Sequence, residues 1–304
     1  FTMGIDAQKI LESRKAVHLA LWFGRVVPEN LGYAITNYIA RIFARQTNWG
    51  AVRAARANQW VISQGTLSPE QLDQRVLDTF CFTGHAIFEL NHNIHRPKAI
   101  SRLIKFDSRA EEAINHEPEP GTGSLIVSTH LGNFDFCARA AALRGLKGMV
   151  ITLPEINNGG YQLQYEMRRE IGLEVFPASR NVLRLAIKRL RAGEFVLTGI
   201  DRPIQNAKNK PHFFGRRADL PMHHIYLALK AAVPIYVAVA VLKPDNQYHF
   251  LISDPIHMHP DPDHKTELVT NAERVLRVAE EFIRQYPEQW SMYFPVWPDA
   301  MDEV

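Results

Sequence analysis

Beyond residue 120 the chain repeatedly spells short, nearly uninterrupted apolar runs, and this constrains its fold more than any other feature. Residues 124–129 (SLIVST), 148–153 (GMVITL), 195–200 (FVLTGI) and 234–242 (PIYVAVAVL) lack the polar alternation of a half-exposed strand. Strands covered on both faces read this way. A shorter strand is expected near 173–177 and another at 248–253 (YHFLIS). Helix-like stretches lie between and after them, at 136–145 (FCARAAALRG), around 161–171, at 181–192, at 223–232 (HHIYLALKAA) and at 265–285. The alternation predicts an α/β fold with a mostly parallel central sheet flanked by helices.

Residues 1–115 read differently, as helices. Residues 51–60 (AVRAARANQW) are rich in Ala and Arg, and Ser68-Pro69-Glu70 supplies an N-cap followed by a proline at the first helical position. No linker rich in Pro, Gly or Ser separates this region from residues 116–304. A helical N-terminal region packed on an α/β core, as one continuous domain, is therefore expected.

Within the helical region, residues 15–45 (KAVHLALWFGRVVPENLGYAITNYIARIFAR) are strongly apolar but interrupted by Arg25, Pro28 and Glu29. That leaves less than the roughly 20 apolar residues a spanning helix needs. Two amphipathic helices broken at Val27-Pro28 fit better, either lying in a membrane interface or packing as core helices. The start of the chain lacks the uninterrupted apolar core and small-residue cleavage site of a signal peptide. Charge is divided along the sequence: residues 1–60 carry +5, residues 134–220 carry +7, and the remainder −9. Such a division suits a protein with one face toward phosphates or an anionic surface. The two cysteines, Cys81 and Cys137, are far apart and read as reduced thiols.

The stretch that carries chemistry is 128–135, Ser-Thr-His-Leu-Gly-Asn-Phe-Asp, directly after the first predicted strand. Loops at the carboxyl ends of strands project into the crevice where such sheets bind ligands. If the chain turns into a helix at once, with Gly132 permitting the turn, Asp135 can meet one ring nitrogen of His130. The carboxylate would fix the tautomer and balance the imidazolium that forms when the other nitrogen takes a proton.

The string HLGNFD resembles the HX4D/E block of the lysophospholipid acyltransferase superfamily. It is closest in form to the lauroyl and myristoyl acyltransferases of lipid A biosynthesis and to the phosphatidylinositol mannoside acyltransferases. The resemblance continues in order through 181–202 (NVLRLAIKRLRAGEFVLTGIDR), Phe213-Phe214-Gly215, 228–234 (ALKAAVP) and 286–290 (YPEQW), and covers about residues 10–298. Two departures stand out: Asp135 where the lipid A enzymes usually have Glu, and SMYFPVWP after Trp290 where many relatives carry basic residues.

The resemblance implies transfer of a fatty acyl group from a thioester, on coenzyme A or acyl carrier protein, to a hydroxyl of a glycolipid or other lipid. The thioester is already activated, so no metal and no further cofactor are implied. His130 would be the base and Asp135 its partner, with backbone N–H groups near Gly132-Asn133 or an arginine receiving the oxyanion. Asn133, Arg168, Arg169, Asp201, Arg202, Phe213, Phe214 and Arg216 are the candidate substrate contacts. For several of these a plainer role competes. Asp201 and Arg202 bind the acceptor or form an ion pair that holds a loop. Arg168 and Arg169 bind phosphate or lie on a solvated helix face. Phe213 and Phe214 line an acyl tunnel or pack in the core. The implied setting is peripheral, on the anionic cytoplasmic face of the inner membrane. Lysophosphatidic acid acylation and a catalytically silent lipid-binding protein are the competing functions.

No GxSxG elbow, Walker loop or GxGxxG occurs, which removes the best support for hydrolase, nucleotidase and dehydrogenase readings. No nucleic-acid recognition motif accompanies the basic segments, so nucleic acid is not an expected partner. Residues 257–264 (HMHPDPDH) have the composition of a metal site without its ligand spacing, and read as an exposed loop.

Overall fold

A computed structural model describes residues 14–152, 168–169 and 173–304. Its centre is a seven-stranded sheet made from β1 (Ile104–Phe106), β2 (Ser124–Gly132), β3 (Met149–Thr152), β4 (Glu174–Pro177), β5 (Phe195–Gly199), β8 (Ile235–Leu242) and β9 (Tyr248–Ile252). The order across the sheet is β1-β9-β8-β2-β5-β3-β4. Every pairing is parallel except β8 with β9, which a short turn joins as antiparallel neighbours. The remaining strands, β6 (His212–Phe213) and β7 (Arg216–Arg217), form a small hairpin of their own.

The apolar runs are continuous because both faces of the sheet are covered. From β2, Leu125, Val127 and Leu131 enter one core with Val237 and Val239 of β8, while Ile126 enters the other with Ala238 and Ala240. Helices α8 (Arg180–Arg191), α9 (His223–Ala231) and α10 (His264–Gln285) supply side chains to the first core. The second is closed by α4 (Pro69–Asn93), α5 (Pro97–Leu103), α6 (Ser108–Ile114) and α7 (Phe134–Leu143). Each large aliphatic side chain so buried contributes roughly 1.5–3 kcal/mol, which makes β2, covered on both faces, the backbone of the fold.

The N-terminal region is helical with one exception. Besides α4 to α6 it contains α1 (Arg14–Val26), α2 (Glu29–Ala44) and α3 (Gly50–Ile62). The capping box expected at Ser68 is present, with Ser68 Oγ accepting from the Gln71 N–H and the Gln71 side chain accepting from the Ser68 N–H. The exception is β1, which pairs with β9 and forms one edge of the sheet. Three residues, Ile-Lys-Phe, are too few to reveal a strand by pattern. Among the described residues no helix is long and apolar enough to cross a membrane. The helix expected around 161–171 lies outside the described residues apart from 168 and 169, which are helical.

Candidate active site

Strand β2 runs parallel to β5 in a register that pairs Ser128 with Gly199. Two residues further along both chains, the same register sets His130 beside Asp201. The carboxylate receives three donors. The His130 backbone N–H reaches Oδ2 at 2.7 Å, His130 Nδ1 lies 2.7 Å from Oδ1, and the Trp290 indole N–H reaches Oδ2 at 2.8 Å. Asp201 is fully buried. Burial alone would push its carboxyl up, but the charge of His130 and the donated hydrogen bonds outweigh it, and the group stays below the usual carboxylate range.

A carboxylate opposite Nδ1 fixes that nitrogen as the proton carrier and leaves Nε2 with its lone pair. The His130 side chain is 32% exposed, and among the described residues nothing hydrogen-bonds Nε2. The edge of the ring is steadied by Phe134, 5.5 Å away in a T-shaped contact.

The sequence spacing led us to expect Asp135 as the partner of His130, and the structure assigns that place to Asp201. The cause is a bulge. Pairing of β2 with β8 shifts between Ser128 and Gly132. Gly132 has φ +75°, and a Cβ there would lie 1.7 Å from the Ala240 carbonyl oxygen. The chain therefore swings past His130 before α7 begins, and Asp135 faces elsewhere in the first turn of that helix. It accepts a bidentate pair from Arg168, at 2.8 Å from Nε and 3.0 Å from Nη2, with both side chains about three-quarters buried. Arg168 is thus engaged by a carboxylate in this structure, and Arg169 beside it is exposed.

Asn133 braces the bulge. Its backbone N–H donates to Ala240 O at 2.9 Å and its side chain to Ala86 O of α4 at 2.9 Å. With the N–H groups of His130 and Asn133 both committed, neither is open to an oxyanion in this structure. Arg202 lies with its guanidinium 3.9 Å from the centre of the Phe294 ring.

Of the two readings for Phe213 and Phe214, the structure favours core packing. They are 0% and 6% exposed and form an aromatic cluster with Trp290 and Trp297, in which Phe213 stacks on Trp297 at 5.5 Å. Arg216 gives its guanidinium to Glu303 at 2.6 and 2.9 Å and lies over Trp60, so its charge is met by the C-terminal segment.

Trp290 is a site residue that was not among the candidates, although it lies in the YPEQW string at 286–290. The preceding Gln289 exchanges two hydrogen bonds of 2.8 Å with the backbone of Leu242, Trp290 pairs with Leu131, and the Ser291 N–H donates to His130 O at 2.9 Å. A tryptophan after a Pro-Glu-Gln turn, buried yet carrying one N–H to satisfy, was the available signal.

The family described as bacterial lipid A biosynthesis acyltransferase matches the chain over residues 10–298. No curated protein matches the sequence at a significant level.

Proposed function

Because the chain belongs to the bacterial lipid A biosynthesis acyltransferases, an acyltransferase family acting on lipid-like substrates, we propose that it moves a fatty acyl group from an acyl thioester to a hydroxyl of a glycolipid, with His130 as general base. The observation that carries this reading is the 2.7 Å contact of His130 Nδ1 with the buried Asp201, which leaves Nε2 as the ring's accessible lone pair.

The steps follow from that geometry. Nε2 takes the proton of the acceptor hydroxyl as its oxygen attacks the thioester carbonyl carbon. The imidazolium that forms is held against the Asp201 carboxylate. The tetrahedral adduct collapses with cleavage of the carbon–sulfur bond, and the departing thiolate recovers the proton from Nε2. Base assistance of this kind is worth about 10²–10⁴ in rate. The donor is acyl-coenzyme A or acyl-acyl carrier protein, and the step needs no metal or cofactor. Asp201 acts as partner of the base, while the Asp135–Arg168 pair sets one guanidinium close to the motif.

The protein acts at a membrane, as a peripheral enzyme on the anionic cytoplasmic face of the inner membrane. Supporting this, α1 exposes Leu19, Trp22 and Val26 along one stripe, and α2 exposes Leu31, Tyr38 and Ile42 along another. Other side chains of the same helices pack on α4, Phe23 against Phe88 and Tyr33 against Glu89.

The test is acyl transfer from palmitoyl-coenzyme A, and from a palmitoyl carrier protein, to a bacterial lipid extract, comparing wild type with His130→Ala by mass spectrometry. A new acylated glycolipid from wild type alone is the expected result. Equal thioester consumption by both proteins overturns the mechanism.

A further inference from the structure

At the crossing of α1 and the end of α4 the structure forms a cavity of about 520 Å³, open to solvent on one side and lined by Arg25, Asn91, His92, His95 and Arg96. The two helices meet there without side-chain spacing, because a Cβ on Gly24 would lie 2.7 Å from Asn91 Cβ and 2.9 Å from His92 N. His92 donates from Nδ1 to the Gly24 carbonyl at 2.7 Å. In the neutral ring Nε2 is then an acceptor, and Arg96 Nη1 donates to it at 2.6 Å. Arg96 is therefore held in place by an uncharged group.

What distinguishes this corner is charge without compensation. Residues 14–26 and 90–106 contain no Asp or Glu. Among the described residues no carboxylate pairs with Arg25 or Arg96, whereas Arg144, Arg189 and Arg216 each hold a bidentate glutamate. The cavity also borders apolar surface. Val26 follows Arg25, the stripe of Leu19 and Trp22 runs back along α1, and Ile87, 51% exposed, lies one turn before Asn91 on α4.

We infer that this cavity is a binding site for the phosphate headgroup of an anionic phospholipid, whose chains lie along the Leu19–Trp22–Val26 stripe. Two guanidinium forks and the His95 imidazole suit a phosphodiester, which needs donors on several oxygens and carries one negative charge, while His92, both of whose ring nitrogens are engaged, orients Arg96. The inference rests on the proposed membrane docking and adds to it a defined lipid chemistry at a defined place.

The experiment is co-sedimentation of the full chain with vesicles of phosphatidylcholine alone or mixed with phosphatidylglycerol. Three double variants accompany wild type, each checked for an unchanged melting temperature: Arg25→Gln with Arg96→Gln, Lys98→Gln with Arg102→Gln, and Leu19→Asp with Trp22→Asp. Removing one cation near an anionic surface weakens binding about fivefold. Diffuse attraction of two cations accounts for about 25-fold, so the cavity pair should lower phosphatidylglycerol-dependent binding by clearly more than that, while the equally charged α5 pair stays within it. Equal losses from the two cationic pairs overturn the cavity site and leave only a diffuse basic surface. Displacement by inorganic phosphate at matched ionic strength overturns the lipid assignment in favour of a free-anion site. If the Leu19/Trp22 variant binds both vesicles like wild type, the docking reading fails as well, and so it does if wild type binds neither.

Discussion

Replacing Asp201 with Asn separates the two carboxylates that the sequence offers to His130. The buried carboxylate uses Oδ2 for the His130 and Trp290 N–H donors and Oδ1 for His130 Nδ1. An asparagine has one acceptor oxygen. If it keeps the two donors at the Oδ2 position, its NH₂ group points at Nδ1, which must then accept. The ring proton moves to Nε2, and the nitrogen that should take the hydroxyl proton becomes a donor. In a serine-protease triad the same exchange costs about 10⁴ in kcat. Here the loss should be about 10³–10⁴-fold, or about 4–5.5 kcal/mol at 1.36 kcal/mol per decade. The fold should survive, since the side chain keeps its shape and most of its bonds. Asp135→Asn should leave the tautomer untouched and weaken only the Arg168 pair, so KM rises more than kcat falls. The assay is the initial rate of acyl transfer at saturating thioester, with melting temperature as the control. Near-normal kcat in Asp201→Asn, together with collapse of kcat in Asp135→Asn, would refute the assignment of Asp201 as the partner of the base.

Trp290→Phe keeps the aromatic packing but removes one donor from the Asp201 carboxylate. Losing a hydrogen bond to a charged group costs about 1.5–3 kcal/mol, the Asp201 pKa rises, and the acid limb of the kcat/KM profile should move to higher pH. A profile that only scales down would show that the indole merely packs. Gly132→Ala forces a Cβ onto the Ala240 carbonyl at a positive φ, and strain plus overpacking should cost at least about 3 kcal/mol in chemical denaturation. Glu89, which accepts from Tyr33 at 2.6 Å and from Tyr248, has its carboxyl raised by burial above the ordinary range. The unfolded chain ionises first, so this group costs stability progressively as pH rises from the ordinary glutamate range through its folded pKa. Glu89→Gln should flatten that slope, and an unchanged dependence of the denaturation midpoint on pH would count against it.

The layered α/β architecture was legible because two-sided burial writes itself as unbroken apolar runs, and β2, β5 and β8 appeared where SLIVST, FVLTGI and PIYVAVAVL lie. His130 was legible for the same reason, since it follows such a run. Its partner was not. Asp135 is five residues away along the chain, while Asp201 is adjacent only because β2 and β5 are neighbours in parallel register, and sheet order is not written in local pattern. The bulge at Gly132 then turns the near carboxylate away. The aromatic pair 213–214 illustrates the converse: the sequence allowed tunnel or core, and packing against Trp290 and Trp297 favours core.

The antiparallel bridge of Leu131 with Trp290, and the bond from the Ser291 N–H to His130 O, join the reactive strand to a segment that leaves the ribosome long after it. Without that segment, the aspartate that follows β5 would lack one of three donors to a charge that the core encloses completely. All seven strands of the sheet and His130 are in place by residue 252, whereas the indole donor comes from beyond α10, so the electrostatic setting of the imidazole is set by a stretch far from it in sequence.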